Sequence, residues 1–382
     1  MSQDPFGDIP LFREIQRLLA AGGGPVNLEI ARQIALAAAT QGSGDPDVPP
    51  ATTRSFAAAV HDAEALVSGY TRRSLDEPLR SRTVGRSWWV TETLKAWKWL
   101  LDHLGRRLTE TLGALGGPGG DEGDAPMGMA LGQVAPLMMG VQAGTLLGQL
   151  GTEALGRYDW PVPREDDSQL FFVVPNIEQL GEDYGFEPDA FRRWVAVRDT
   201  ARHLLVSSVP WLSSYLRSLL LEVVDALEVD TDGFERRLLE LQTKGPEALQ
   251  EGLGLDAALP IAQTERHGKA LERLHAFQAA FEGYAAHVNG AVMKEMVADS
   301  VRIEEGMARH AQSPSPADTM LSGILGVSMD RAWETSGTTF CAAVARLHGM
   351  AALNRVWDAP DNLPLSQEIK DPFAWMERVL AE

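Results

Sequence analysis

Along most of the chain apolar residues recur every three or four positions, the spacing of amphipathic helices. Phe12, Ile15, Leu18 and Leu19 form a short apolar face. Residues 26–40, 52–71 and 88–112 are rich in Ala, Leu and charge, have few internal breakers, and predict three helices. Further helices are expected over 189–206, about 260–296 and about 329–347. One run departs from this period: Leu170-Phe-Phe-Val-Val174 is β-rich, is followed by Pro175 and Asn176, and predicts the single strand. Three stretches, 41–50, 116–126 and 311–317, concentrate Gly, Pro, Ser and Asp and read as loops. The fold class is therefore mainly α with a small β component. An N-terminal helical layer (1–115) is expected, then a Gly/Asp loop (116–126), then a core with C-terminal helices (127–382), together one unit.

Trp88, Trp89, Trp97 and Trp99 read as anchors of core packing. From Ala125 to Thr152 there is no charged residue, and Gly128/Gly132 and Gly144/Gly148 fall at GxxxG spacing. Length and lack of charge suit a bilayer span. Pro136, three glutamines and the lack of flanking basic clusters argue instead for a glycine-smoothed core helix or helix pair.

Composition then narrows the partners. Of 382 residues, 34 are Lys or Arg and 53 Asp or Glu, a formal net charge of −19. That excess disfavours nucleic acid and anionic membrane as partners. One cysteine, Cys341, precludes both an internal disulfide and a CxxC zinc site, and reads as core. The opening MSQDPFGDIP is not a signal-peptide start, so a cytoplasmic protein is expected.

The candidate chemistry lies on the helix FEPDAFRRWVAVRDTARHLLVSS. At 100° per residue, Phe191, Trp194, Val195, Arg198, Arg202 and Leu205 share one stripe, with Arg193 and Thr200 on the expected solvent side. Two arginines on an apolar stripe require carboxylate partners or a cleft, because an uncompensated buried charge costs on the order of several kcal/mol. Glu282 flanks the apolar face of LHAFQAAFEGYAAHV, where a carboxylate can reach a neighbouring helix. The remaining histidines, including His287 five residues beyond Glu282, show no second ligand at metal spacing. Ser207 and Ser208 lack a GxSxG context.

Five segments in order carry a resemblance to a known family: PLFREIQRLL with GPVNLEIARQIA, GRYDWPVP with FFVVPNI, FRRWVAVRDTARHLLVSSVPWL, FEGYAAHV, and GMAALNRVWDAPDNLPLSQEIKDPFAWMERVL. Together they resemble the zincin-like hydrolases of bacteria, also labelled uncharacterised zinc-dependent metallopeptidases. A sister branch is associated with deazaflavin-cofactor biosynthesis. The resemblance implies a zincin-like core behind the N-terminal layer. It also implies an HExxH helix whose two His bind zinc, whose Glu activates a water, and whose third ligand comes from the later glutamate.

Here the five motif positions read Arg198-Asp199-Thr200-Ala201-Arg202. Guanidinium groups offer no lone pair to a cation. Asp199 keeps a carboxylate one methylene shorter, and Glu282 keeps its place. The expectation is a metal-free framework with no cofactor, in which Arg198 and Arg202 meet Glu282 in place of zinc, with Asp199 as a further candidate partner. A binding or scaffold role follows: an inactive pseudopeptidase for an unidentified protein or peptide, its cleft taking an anionic group or peptide carboxylate through both arginines. Two alternatives stand beside it. One is an active hydrolase using an unrecognised metal site or Asp199/Glu282 acid–base chemistry; the other is a membrane-associated role through 125–152.

Overall fold

Alternation along one short strand splits the interior into two cores. Side chains of a strand point alternately to opposite faces, and all four residues of strand β2 (Leu170–Val173) are buried. Leu170 and Phe172 enter the first core, where Phe172 stacks on Phe56 with ring centroids 4.6 Å apart, whereas Phe171 and Val173 enter the second. Its partner β1 (Ser81–Val84) runs parallel, with Ser81 opposite Leu170 and Val84 opposite Val173. The computed structural model describes residues 24–115, 125–160, 162–165, 169–228, 262, 264–297, 300–312 and 332–381. The expected face at 12–19 and most of the loops at 116–126 and 311–317 lie outside these residues.

Among the described residues five helices lead to β2: α1 (Leu28–Thr40), α2 (Pro50–Thr71), α3 (Arg86–Ala96), α4 (Lys98–Leu115) and α5 (Ala125–Glu153). After it come α6 (Val174–Tyr184), α7 (Pro188–Ser208), α8 (Leu212–Asp225), α9 (Glu265–Met296), α10 (Ser300–Ala311), α11 (Ala332–Asn354), α12 (Ser366–Lys370) and α13 (Pro372–Leu380). The first core joins α2 to α6–α9, α11 and the C-terminal helices; the second joins α1, α3, α4 and α5. The mainly helical architecture agrees with the apolar periodicity.

Three departures have local causes. Pro175 does not stop the strand into a loop: it falls in the first turn of α6, where a missing N–H costs nothing, so Val174 is already helical. The strand Ser81–Val84 was not expected, because Ser-Arg-Thr-Val has no apolar alternation and leaves only Val84 buried. The helix expected over 88–112 is two helices. Trp97 leaves helical geometry (φ −99°, ψ 6°) and packs edge-on against Trp89 at 6.2 Å. Trp88 meets Phe171 and Trp99 donates to the Pro163 carbonyl, so all four tryptophans serve packing.

The uncharged stretch forms one helix, α5, whose glycines are a docking face for α1. A Cβ on Gly140 would lie 2.6 Å from the Asn27 carbonyl oxygen, one on Gly144 2.7 Å from that of Ala31, and one on Gly148 2.6 Å from Ala38 Cβ. The Asn27 N–H donates to the Pro136 carbonyl (2.8 Å) and its side chain caps α1 at Ile30 (3.1 Å), so one residue ties the two helices. Among the described residues no single helix is long and apolar enough to cross a membrane. Replacing Gly144 with Leu should destabilise the fold by about 2 kcal/mol by forcing α1 and α5 apart; urea denaturation with an unchanged slope measures this.

Candidate functional site

Helix α7 is buried on nearly every side. Glu187 caps it, accepting from the Asp189 and Ala190 N–H groups, and Pro188 occupies its first turn. Twelve of its residues are buried, from Phe191 to Leu205. Thr200, expected on the solvent side, is wholly buried (0%), and Arg193 alone of that pair is exposed. The correction is physical: neighbours cover both faces of α7, so a one-sided stripe underestimates its burial.

The two arginines turn to different partners. Arg202 donates from Nε to Glu282 Oε2 (3.2 Å) and pairs with the same oxygen through Nη2; its Nη1 donates to the Arg198 carbonyl (3.1 Å). This is the expected bridge from α7 to α9. Arg198 does not join it. Its Nε donates to Asp199 Oδ1 (2.9 Å), and Nη2 lies 2.7 Å from Asp159 Oδ1 and 2.8 Å from Asp199 Oδ1. The guanidinium carbon also lies 5.8 Å from the Trp194 ring centre.

Asp159, not singled out in the sequence, completes this cluster. Its Oδ2 accepts from the Leu155 and Gly156 N–H groups (both 2.7 Å), folding residues 155–159 into a tight turn. The other oxygen of Asp199, Oδ2, accepts from the Arg157 N–H (2.9 Å), so the turn is held from two sides. A Cβ on Gly156 would lie 2.1 Å from Asp199 Oδ2; only glycine fits. The available signal was the Asp in GRYDWP, a segment read for its resemblance alone.

One cation between two buried carboxylates leaves a net negative cluster. Burial raises the Asp159 carboxyl above its ordinary range, Arg198 pulls it back, and Asp199 pushes it up further. Burial opposes the Arg198 charge, but the two aspartates outweigh it and hold the guanidinium protonated. Asp199 is 0% exposed with both oxygens engaged, whereas the Glu282 side chain is 20% exposed.

A second buried chain follows on α7. The Tyr158 hydroxyl meets His203 Nδ1 (2.8 Å), and Ser207 Oγ meets Nε2 (3.3 Å). Burial lowers His203 to about 4; Arg157 adds to this and Asp199 opposes it. His287 instead meets the Tyr70 hydroxyl (2.9 Å), and buried Cys341 lies against the Ala280 carbonyl. Among the described residues no three His, Cys, Asp or Glu side chains converge as metal ligands. The donors facing one another on α7 and α9 are guanidinium and carboxylate, a set that satisfies itself and does not fit zinc.

This geometry sits on a shared framework. Residues 26–376 match the model of the Zincin-like metallopeptidase family, and the chain belongs to that family. Its fold is also similar to the crystal structure of a candidate hydrolase with a novel fold from Chloroflexus aurantiacus. That likeness has a TM-score of 0.68 and 23% identity, over 94% of this chain and 99% of the other. Comparison with curated proteins gives no match.

Two variants test the electrostatics. Arg198→Met should cost about 3–5 kcal/mol at neutral pH, leaving Asp159 and Asp199 buried without a cation. The folded state then holds the Asp159 proton more tightly than the unfolded chain, so the deficit should shrink as pH falls toward the ordinary carboxylate range. Denaturation at pH 7.5 and 5 reads both effects. For His203 the unfolded chain takes up its proton near 6.5 and the folded protein only near 4. Stability from this group, complete above 6.5, is lost on acidification through that window, by about 3 kcal/mol in all. His203→Gln should flatten the fall in urea midpoint between pH 7 and 4.

Proposed function

We propose that this protein is a binding or scaffold member of the zincin-like family, a pseudopeptidase that works without zinc. The observation that carries this reading is the pairing at the motif positions. Arg198 and Arg202 stand where the resemblance puts the zinc-binding histidines, and each is committed to carboxylates: Asp159 and Asp199 for one, Glu282 for the other. A guanidinium replaces part of a metal's charge and cannot replace its open coordination positions. Acid–base catalysis by Asp199 and Glu282 finds little support, since Asp199 is wholly buried and cannot reach a substrate proton.

The expected metal content of protein purified without chelator is well below one zinc per chain. One zinc per chain, with peptide hydrolysis abolished by chelator, sinks the proposal in favour of the active hydrolase. The triple variant Arg198→His, Asp199→Glu, Arg202→His should bind zinc together with Glu282. The extra methylene at 199 must be accommodated beside Gly156, so the double variant Arg198→His, Arg202→His is the companion measurement. Zinc binding by either is read by elemental analysis and by a rise in melting temperature on adding metal.

A further inference from the structure

If the protein binds a partner, Arg198 and Arg202 are poor anchors for it, because internal carboxylates already hold them. Arg73, just beyond the end of α2, is in a different position. Among the described residues no carboxylate lies within ion-pair distance of its guanidinium. Its partners are neutral: Nη1 donates to Ser208 Oγ (3.1 Å), Nη2 reaches the Asn354 carbonyl (3.5 Å) and the guanidinium also donates to the Tyr284 hydroxyl, while Nε is buried without a partner. Arg107 shares the unpartnered Nε, but a single carbonyl, Leu227 O, meets it.

Hydroxyl and amide groups from four helices surround Arg73. Ser208 ends α7, Asn354 ends α11, and Tyr284 on α9 donates its hydroxyl to Asn354 Oδ1 (2.9 Å). Asn354 Nδ2 donates to the Thr71 carbonyl at the end of α2 (2.8 Å). Burial raises the Tyr284 phenol to about 12, and the neighbouring Arg73 opposes that rise. The C-termini of α2 and α7 offset part of the cation's cost through their negative ends. A half-buried guanidinium still lacks the bidentate acceptor its fork fits best. Tyr284 lies two residues beyond Glu282 on α9, about 200° round that helix, and Ser208 lies six residues beyond Arg202 on α7, so this cluster is separate from the Arg202–Glu282 bridge.

We propose that Arg73, with Ser208 and Tyr284 beside it, is the anchor for a carboxylate group of the bound partner. This rests on the binding-protein reading and moves its anchor from the motif arginines to the cluster at the ends of α2 and α7. A single cation suits a carboxylate, with one negative charge, better than a dianionic phosphate.

The test is calorimetric titration of the full chain with N-acetyl-dialanine and with its C-terminal amide. The free acid should bind about tenfold more tightly than the amide. Arg73→Gln should bring the acid down to the level of the amide. Arg73→Lys, which keeps a cation should the Gln variant not fold, should lose about fivefold. Acetate competing as well as the peptide identifies a free small acid, and weaker competition identifies a chain terminus; either keeps the carboxylate assignment. Equal binding of acid and amide, no binding of either, or undiminished acid binding by folded Arg73→Gln or Arg73→Lys overturns it. Zinc content of the wild-type protein judges the metal-free reading separately, whatever these titrations give.

Discussion

A buried guanidinium must be surrounded by negative charge, and Arg198 meets that demand by gathering Asp199 from its own helix and Asp159 from the turn after α5. Much else follows from satisfying it. The turn at 155–159 closes on Asp159, its backbone donates to Asp199, and glycine is required at 156 because the carboxylate takes the space of a Cβ. The same turn lies along β2: the Val173 N–H donates to the Leu155 carbonyl and Gly156 bridges Phe172. The ion cluster therefore joins α7 to the strand that divides the two cores.

The second arginine extends that connection. Arg202 carries α7 across to Glu282 on α9, so charge links the turn at 155–159, the central helix and the late helix. Stability from such groups is conditional. Replacing a buried ion pair by apolar residues is often neutral, but removing one partner leaves the other stranded. Guanidiniums at the two motif positions thus make the framework depend on its own carboxylates, where the resemblance would have it depend on a metal.

How far the sequence could be read varies with the distance over which each feature is decided. The helices expected at 26–40, 52–71 and about 260–296, and found at Leu28–Thr40, Pro50–Thr71 and Glu265–Met296, were legible because their period is local. Ser81–Val84 was not: its strand conformation comes from pairing with Leu170–Val173, far along the chain. The break at Trp97 was hidden because tryptophan is a tolerable helix residue, and packing against Trp89 takes it out of the helix. The glycines of α5 were read as a smoothed surface, but their partner, the alanine face of α1, emerged only in the fold. At the site, the Arg202–Glu282 bridge was legible from two amphipathic faces. Asp159 was not, since a lone Asp in a turn carries no periodicity.

The sequence by itself determined the helical class, the charge at positions 198 and 202, and the absence of imidazole there, because these are properties of residue type and local spacing. Only the tertiary structure decided which carboxylate each arginine would meet. The two side chains share one stripe of α7, yet one turns to Asp159 and Asp199 and the other to Glu282. The reason is that a buried charge takes whichever counter-charge the surrounding elements deliver. That delivery depends on how α5, β2, α7 and α9 pack, and no helical period encodes it.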